Sequence, residues 1–175
     1  WARAEGLPLM VHAAESPEEV AFLARGEGPL REVYGRFAKT PWTPPGTTPV
    51  RHLHALGVLG PTTLLVHGVQ VDEEEVGLLA ETGTKVVLCP RSNANLEVGE
   101  APLALYAKHG VELALGTDSR GSSPDLDVKN EARFLWGRAE PRLLVRALTR
   151  GGYRALGLPT PRLTRGTPLS LVHFL

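Results

Sequence analysis

Residues 62–67, Thr-Thr-Leu-Leu-Val-His, form a short apolar run that ends in a histidine. An apolar run with a polar side chain at or just after its end occurs three more times along the chain. The other runs are residues 7–11, 85–89 and 111–115, and they are followed by His12, by Ser92 and Asn93, and by Asp118. Short apolar runs without strict alternation are typical of strands that are buried on both faces, as in parallel sheets.

Helix signals lie between these runs. Ser16, Pro17 and Glu19 predict a helix start with an N-cap, a first-turn proline and a capping-box glutamate. Residues 72–75, Asp-Glu-Glu-Glu, repeat this pattern, and Gly83 suits the end of that helix. The same start and stop signals predict further helices over residues 101–109 and from about residue 124 to residue 136. The alternation of strands and helices predicts parallel strands with right-handed crossovers.

Two segments depart from this alternation. Residues 26–48 are rich in glycine and proline and predict a long loop after the first strand, either functional or a solvated surface excursion. Residues 141–158 predict a helix in two pieces around Gly151 and Gly152. An apolar stretch at residues 169–175 predicts a strand that belongs to a different sheet.

The composition excludes several classes of protein. The chain has 19 basic and 19 acidic residues and lacks the positive charge of a nucleic-acid binder. No apolar run reaches the roughly 18 residues that cross a membrane. The single cysteine, Cys89, excludes an internal disulfide framework and favours a reducing compartment. We therefore expect a cytoplasmic protein with neither a nucleic-acid nor a membrane partner.

The polar residues at the strand ends predict a metal site. In a parallel α/β sheet, side chains at the carboxyl ends of the strands converge on one place. His12, His67 and Asp118 would meet there, and histidine and aspartate suit zinc or ferrous iron. From the start of the next helix, Glu15 could move a proton to or from a water in the site. Each residue alone also has a structural explanation, the histidines as packing residues and Asp118 as a helix cap.

The same residues resemble four consecutive motifs of the amidohydrolase superfamily. Residues 12–15 look like the HxxE motif that follows the fifth strand, and His67 resembles the sixth-strand histidine. Residues 89–96, CPRSNANL, resemble the CPxSNxxL segment after strand seven, and residues 116–119, GTDS, resemble the strand-eight motif. Order and spacing are similar to the chlorohydrolase and aminohydrolase branch, which includes deaminases, over nearly the whole chain.

The resemblance implies that residues 1–158 form the C-terminal half, strands five to eight, of a TIM-like (β/α)8 barrel. Residues 159–175 would return to a small β-sandwich domain. The family's HxH motif from strand one is missing, and we interpret His52 and His54 as part of a helix, where residues two apart point in different directions. We therefore expect a fragment of a longer protein.

Four strands of an eight-stranded barrel would have two unpaired edges and an open apolar interior. Such a half would need a partner, either the missing N-terminal half or a second copy in a homo-oligomer. We expect the isolated fragment to bind metal weakly and to lack turnover.

The resemblance also implies roles for individual residues. His12 and Asp118 would bind one divalent metal, zinc or alternatively iron, and Asp118 would also take a proton from the attacking water. Glu15 would protonate a ring nitrogen of the substrate and then the leaving amine. His67 would hold the metal-bound hydroxide or the tetrahedral oxygen. The implied reaction is metal-hydroxide attack on an amidine-like carbon, with release of ammonia.

The implied substrate is a small molecule with a carbon–nitrogen bond other than a peptide bond, such as an aminopurine or an adenine-bearing nucleoside. Ser92 and Asn93 would line its pocket. Trp42 and Arg51 are candidate specificity residues, since an aromatic ring can stack on a purine. Two alternatives stay open: dechlorination of a triazine-like ring, and a non-catalytic α/β assembly fragment.

Overall fold

The computed structural model describes residue 2, residues 4–160 and residue 165. Four strands form one parallel sheet in the order of the sequence. They are β1 (Leu9–Ala13), β2 (Thr63–His67), β3 (Lys85–Leu88) and β4 (Leu113–Leu115). Each strand overlaps one of the four apolar runs. The sheet therefore confirms the predicted α/β class with parallel strands, and the strand ends that carry polar residues lie along one edge.

Helices connect the strands, as the sequence predicts. Between β1 and β2 lie α1 (Pro17–Arg25), α2 (Pro29–Phe37) and α3 (Pro49–Ala55), and α4 (Glu73–Thr82) precedes β3. Before and after β4 lie α5 (Pro90–Asn95), α6 (Leu103–His109), α7 (Val128–Phe134), α8 (Pro141–Arg146) and α9 (Gly152–Ala155). A π-helical turn at Ala147–Gly151 joins α8 to α9. Within the residues described, no helix is long and apolar enough to cross a membrane.

The capping signals explain where two of the helices begin and end. The Ser16 hydroxyl accepts the N–H of Glu19 at 3.2 Å. At α4, Asp72 and Glu75 form a reciprocal capping box, with hydrogen bonds of 2.8 and 2.9 Å. Gly83 ends α4 at a φ of 70°, which a residue without Cβ adopts at little cost. These helix ends follow from local sequence, so they fix where the crossovers return to the sheet.

Two predictions about the connections are wrong in part. The predicted loop at residues 26–48 contains α2, which begins at Pro29, the first helical position where proline is favoured. The expected break around Gly151 is instead a continuous π-helical turn. A Cβ at Gly151 would lie 2.1 Å from the carbonyl oxygen of Leu113 in β4. This glycine is therefore a close-packing position rather than a helix break.

The sheet has a buried cluster on each face. On one face, strand residues pack against helices α3, α4, α6, α7 and α8 in the cluster that includes Leu65, Val76, Leu79, Val86, Tyr106, Leu113 and Leu144. On the other face, Leu64, Val66, Val87, Cys89 and Ala114 are buried together with Ala155 of α9. The expected open apolar interior is therefore wrong for these positions, because α9 contributes to that face.

The edge strand β1 differs from the rest of the sheet. Within the described residues it pairs only with β2, and Leu9 and Met10 are 39% and 55% exposed. This agrees with the expected unpaired edge. The strand predicted at residues 169–175 lies outside the described residues, so the division at residue 159 stays a prediction.

Candidate metal centre

Three of the predicted residues meet at the carboxyl edge of the sheet. His12 lies in β1, Glu15 follows that strand by two residues, and His67 is the last residue of β2. One ligand atom from each lies within 4.8 Å of the other two. Nε2 of His67 is 3.0 Å from Nδ1 of His12 and 3.5 Å from Oε1 of Glu15. Two imidazole nitrogens and a carboxylate oxygen at this spacing form a donor set that suits zinc.

The orientation of His67 is fixed by Asn93. The His67 ring is fully buried, and its Nδ1 lies 2.9 Å from Oδ1 of Asn93. An amide oxygen only accepts hydrogen bonds, so Nδ1 donates its proton to Asn93. In the neutral ring, Nε2 then presents a lone pair toward His12 and Glu15. Such a hydrogen bond behind a histidine is the usual way in which proteins set the tautomer of a metal-binding imidazole.

Backbone strain concentrates at the same edge. Among the described residues, four non-glycine residues have positive φ, and three of them are Ala14 at 53°, His67 at 76° and Asp118 at 59°. Each such residue costs of order 1–3 kcal/mol and persists only where its surroundings hold it. The Ala14 carbonyl accepts the N–H groups of Val69 and Gln70, both at 2.8 Å. These bonds tie the end of β1 to the end of β2.

Asp118 follows β4 and is held by two hydroxyl groups. Ser92 and Ser122 both donate to its Oδ2, each at 2.7 Å. Burial raises the pKa of Asp118, but the two serine hydroxyls, the Ser119 N–H and the nearby His67 together outweigh burial, so the pKa of Asp118 lies below the usual aspartate value. Asp118 is not part of the three-residue group of His12, Glu15 and His67. Its assignment as a metal ligand and base stays a prediction.

Helix α5 contributes two residues that hold side chains of the site in place. Its residues Ser92 and Asn93 are both buried, and their polar atoms contact Asp118 and His67 respectively. Their predicted role in lining a substrate pocket stays a prediction. Ser122 is not among the residues predicted from the sequence, where its one signal is a hydroxyl four residues after Asp118. Only the tight turn after β4 brings that hydroxyl back to Asp118.

The two candidate specificity residues have partners within the protein. Trp42 stacks on Phe22 with ring centroids 4.2 Å apart, and Tyr34 of α2 lies against the same indole at 5.4 Å. The Arg51 guanidinium pairs with Asp72 at 2.8 Å and with Glu74 at 2.9 Å. The aromatic contacts hold the β1–β2 connection together, and the Arg51 ion pairs join it to the start of α4. A role of Trp42 or Arg51 in substrate binding stays a prediction.

Cys89 is not suited to nucleophilic chemistry. It is buried, and burial raises the pKa of its thiol to about 12. The thiolate is the reactive form of cysteine, so this side chain stays neutral and unreactive at physiological pH.

A parallel sheet with crossover helices, which brings histidines and a carboxylate together at its carboxyl edge, is typical of barrel hydrolases that bind a metal. The chain belongs to the amidohydrolase family, because residues 1–174 match the model of that family.

Relatives with named activities include an aminodeoxyfutalosine deaminase of Deinococcus radiodurans. It is 43% identical over 182 residues, which cover 95% of this chain and 42% of the relative. Among solved structures, a zinc-bound adenosine deaminase of Xanthomonas campestris matches with a TM-score of 0.70 and 31% identity, over 89% of this chain and 34% of that one.

A zinc complex of atrazine chlorohydrolase from Arthrobacter aurescens matches with a TM-score of 0.71 over 90% of this chain and 33% of that one. At 23% identity, this likeness shows the fold alone. The chain thus spans about two fifths of the length of the Deinococcus relative and one third of these two structures. The matches identify it as part of an amidohydrolase barrel.

Proposed function

We propose that the whole protein is a metal-dependent hydrolase that deaminates an adenine-bearing nucleoside. The observation that carries this proposal is the convergence of His12, Glu15 and His67 at the carboxyl edge of the sheet. The 43% identity to a relative named as an aminodeoxyfutalosine deaminase supports the choice of reaction. The likeness to atrazine chlorohydrolase is one of fold, so we propose deamination rather than dechlorination.

The residues present fit a divalent metal, zinc being the first candidate. His12 would bind it, with Asp118 as the proposed carboxylate ligand once the site is complete. When bound, zinc would act as a Lewis acid that lowers the pKa of water toward 7. The donor set is mixed nitrogen and oxygen, which suits zinc and also iron.

Glu15 is suited to move protons in this reaction. Its side chain is 26% exposed, so the carboxylate can meet both a substrate and the buried edge of His67. In the proposed reaction, water adds to the ring carbon that carries the amino group, and Asp118 accepts the proton that the water loses. Glu15 protonates the neighbouring ring nitrogen. As the carbonyl forms, Glu15 takes up the remaining proton of the added hydroxyl and passes it to the amino group, which leaves as ammonia, and the proton on Asp118 restores Glu15 for the next turnover. His67, held by Asn93, orients the oxygen that is added.

The experiment that tests this proposal uses the protein encoded by the whole gene. Metal content is measured after purification, and ammonia release is followed with adenosine, S-adenosylhomocysteine, aminodeoxyfutalosine and a chlorotriazine. We expect about one metal per chain, and a fall in kcat of roughly 10²- to 10⁴-fold for Glu15→Gln. Glu18→Gln, on the exposed side of α1, is the matched control and should keep full activity. A metal-free protein without activity on any of these compounds would instead favour a non-catalytic assembly module.

The partner of this half-barrel is also a proposal. The exposure of Leu9 and Met10 on the unpaired side of β1 supports pairing with the other half of the barrel or with a second copy. Light scattering of the 175-residue chain distinguishes a monomer from a homo-oligomer. We expect this chain alone to lack turnover, and ammonia release at enzyme-like rates would contradict that. The single cysteine supports a cytoplasmic location.

A further inference from the structure

The carboxylate of Glu19 makes an unusual pair of hydrogen bonds at the start of α1. Its Oε1 accepts the N–H of Ala14 at 3.1 Å, and its Oε2 accepts the N–H of Glu15 at 2.8 Å. In an ordinary capping box, the glutamate accepts the N–H of the N-cap residue, here Ser16. The carboxylate of Glu19 instead binds the two residues that precede the cap.

Helix α4 provides the comparison within the same chain. There Glu75 accepts the N–H of its own N-cap residue, Asp72, in the usual way. Both helices have the same spacing of cap and glutamate, so the spacing alone does not account for what Glu19 contacts. The difference lies in the backbone before the cap, because Ala14 is in the left-handed region at a φ of 53°.

The Ala14 peptide groups are fixed on both sides. Ala14 is fully buried, and its carbonyl accepts two N–H groups from the end of β2. Its own N–H and the next one point to Glu19. The Glu15 side chain departs from this fixed segment and places Oε1 3.5 Å from Nε2 of His67. The position of the Glu15 carboxylate therefore depends on the backbone that Glu19 holds.

We propose that Glu19 is a positioning residue, which holds the strained turn at residues 14–15 so that the Glu15 carboxylate faces His67. The inference rests on the proposed function, in which Glu15 moves protons. Capping of α1 is largely independent of the Glu19 side chain, because Ser16 caps the helix through its own hydroxyl and Gly26 ends it in a left-handed conformation.

The test compares Glu19→Gln with Glu18→Gln in the whole protein. Glutamine has the size of glutamate, but only its oxygen can accept, so one of the two backbone N–H groups loses its partner. We expect kcat to fall about tenfold. One charge-assisted hydrogen bond to the turn is lost, and Glu15 is then positioned less well to transfer protons in the transition state. KM and metal content should stay within about twofold of the wild type, as for a change that acts through Glu15 alone.

A double-mutant cycle separates positioning from a general structural role. If Glu19 acts through Glu15, Glu19→Gln should cost little further activity in a protein that already carries Glu15→Gln. Equal losses in both backgrounds, or a loss of metal together with kcat, would overturn the proposal. So would an unchanged kcat.

A crystal structure of the Glu19→Gln protein tests the geometry without any turnover. We expect the Glu15 carboxylate to move away from Nε2 of His67, and an unmoved carboxylate would overturn the inference. The wild-type and Glu15→Gln assays report on the proposed function. Failure of deamination and failure of positioning are therefore told apart.

Discussion

Replacement of Asn93 by leucine tests how the site holds its buried histidine. Leucine is close to asparagine in shape and fills the same space, but it cannot accept the proton of His67 Nδ1, which now lies 2.9 Å from Oδ1. Asn93 is 2% exposed and His67 is fully buried, so water does not replace the lost acceptor. Leaving a buried donor without a partner costs about 1–3 kcal/mol, and we expect the free energy of unfolding to fall by that amount.

The same substitution should slow the proposed reaction. Without Asn93, the tautomer of His67 that carries its proton on Nε2 becomes the more stable one, because Glu15 Oε1 lies 3.5 Å from that nitrogen. That tautomer removes the lone pair that faces His12. Loss of a hydrogen bond that orients a histidine of a metal site typically costs about 10- to 100-fold in metal affinity or activity. Because His67 is proposed to orient the added oxygen, we expect kcat to fall in that range.

Two measurements on the whole protein check these expectations. Ammonia release gives kcat, and nitrogen chemical shifts of His67 report which ring nitrogen carries the proton. Asn95→Leu, at an exposed position on the same helix, is the matched control and should change neither. If Asn93→Leu keeps the kcat of the wild type, with the proton still on Nδ1, the assigned role of Asn93 is wrong.

Three further predictions concern the surroundings of the site. The Arg91 guanidinium holds the pKa of Asp125 well below its usual range. This ion pair therefore stabilises the fold fully above about pH 4, and its contribution decreases as the pH falls further. The unfolding temperature of Asp125→Asn should accordingly be lower than that of the wild type at pH 7, with the gap closing in acid, and a gap independent of pH would contradict this. Gly151→Ala places a methyl group against a backbone carbonyl of β4, and the free energy of unfolding measured with denaturant should fall by about 1–3 kcal/mol. A Cβ at Gly152 meets nothing within 4 Å, so Gly152→Ala is the control and should not lower the stability. Ser122→Ala removes one of the two hydroxyl groups that hold Asp118, and zinc retention during dialysis should fall about tenfold. Unchanged retention would show that this serine does not support the site.

The strands and their order follow from local sequence. Strands of three to five residues, separated by capped helices, leave few arrangements other than a parallel sheet. Helix α2 was not predicted, because Gly26, Gly28 and Gly35 indicate a loop. The aromatic contacts of Phe22 and Tyr34 with Trp42 pack this segment onto α1, and tertiary packing of this kind is not visible in propensity.

The residue types of the site follow from the sequence, whereas their supports do not. Parallel strands bring His12 and His67 together, because the register pairs β1 with β2 along their whole length. The contacts of Glu19 and Ser122 depend on residues with positive φ, namely Ala14 and Asp118. Positive φ can be expected at glycine from the sequence, whereas an alanine or aspartate in that conformation cannot be recognised from the sequence alone.

The contacts that hold the candidate centre come from within this half of the barrel. Asn93 holds the His67 ring, the end of β2 holds the Ala14 carbonyl, and two serines hold the carboxylate of Asp118. A strained backbone persists only when its neighbours over-determine it, and here the neighbours are strands and helices of the same chain. In a whole barrel of this family, further strands would therefore add ligands to side chains whose orientation is already fixed. On this basis we expect the same arrangement of these residues in the whole protein, with the metal site completed rather than rebuilt.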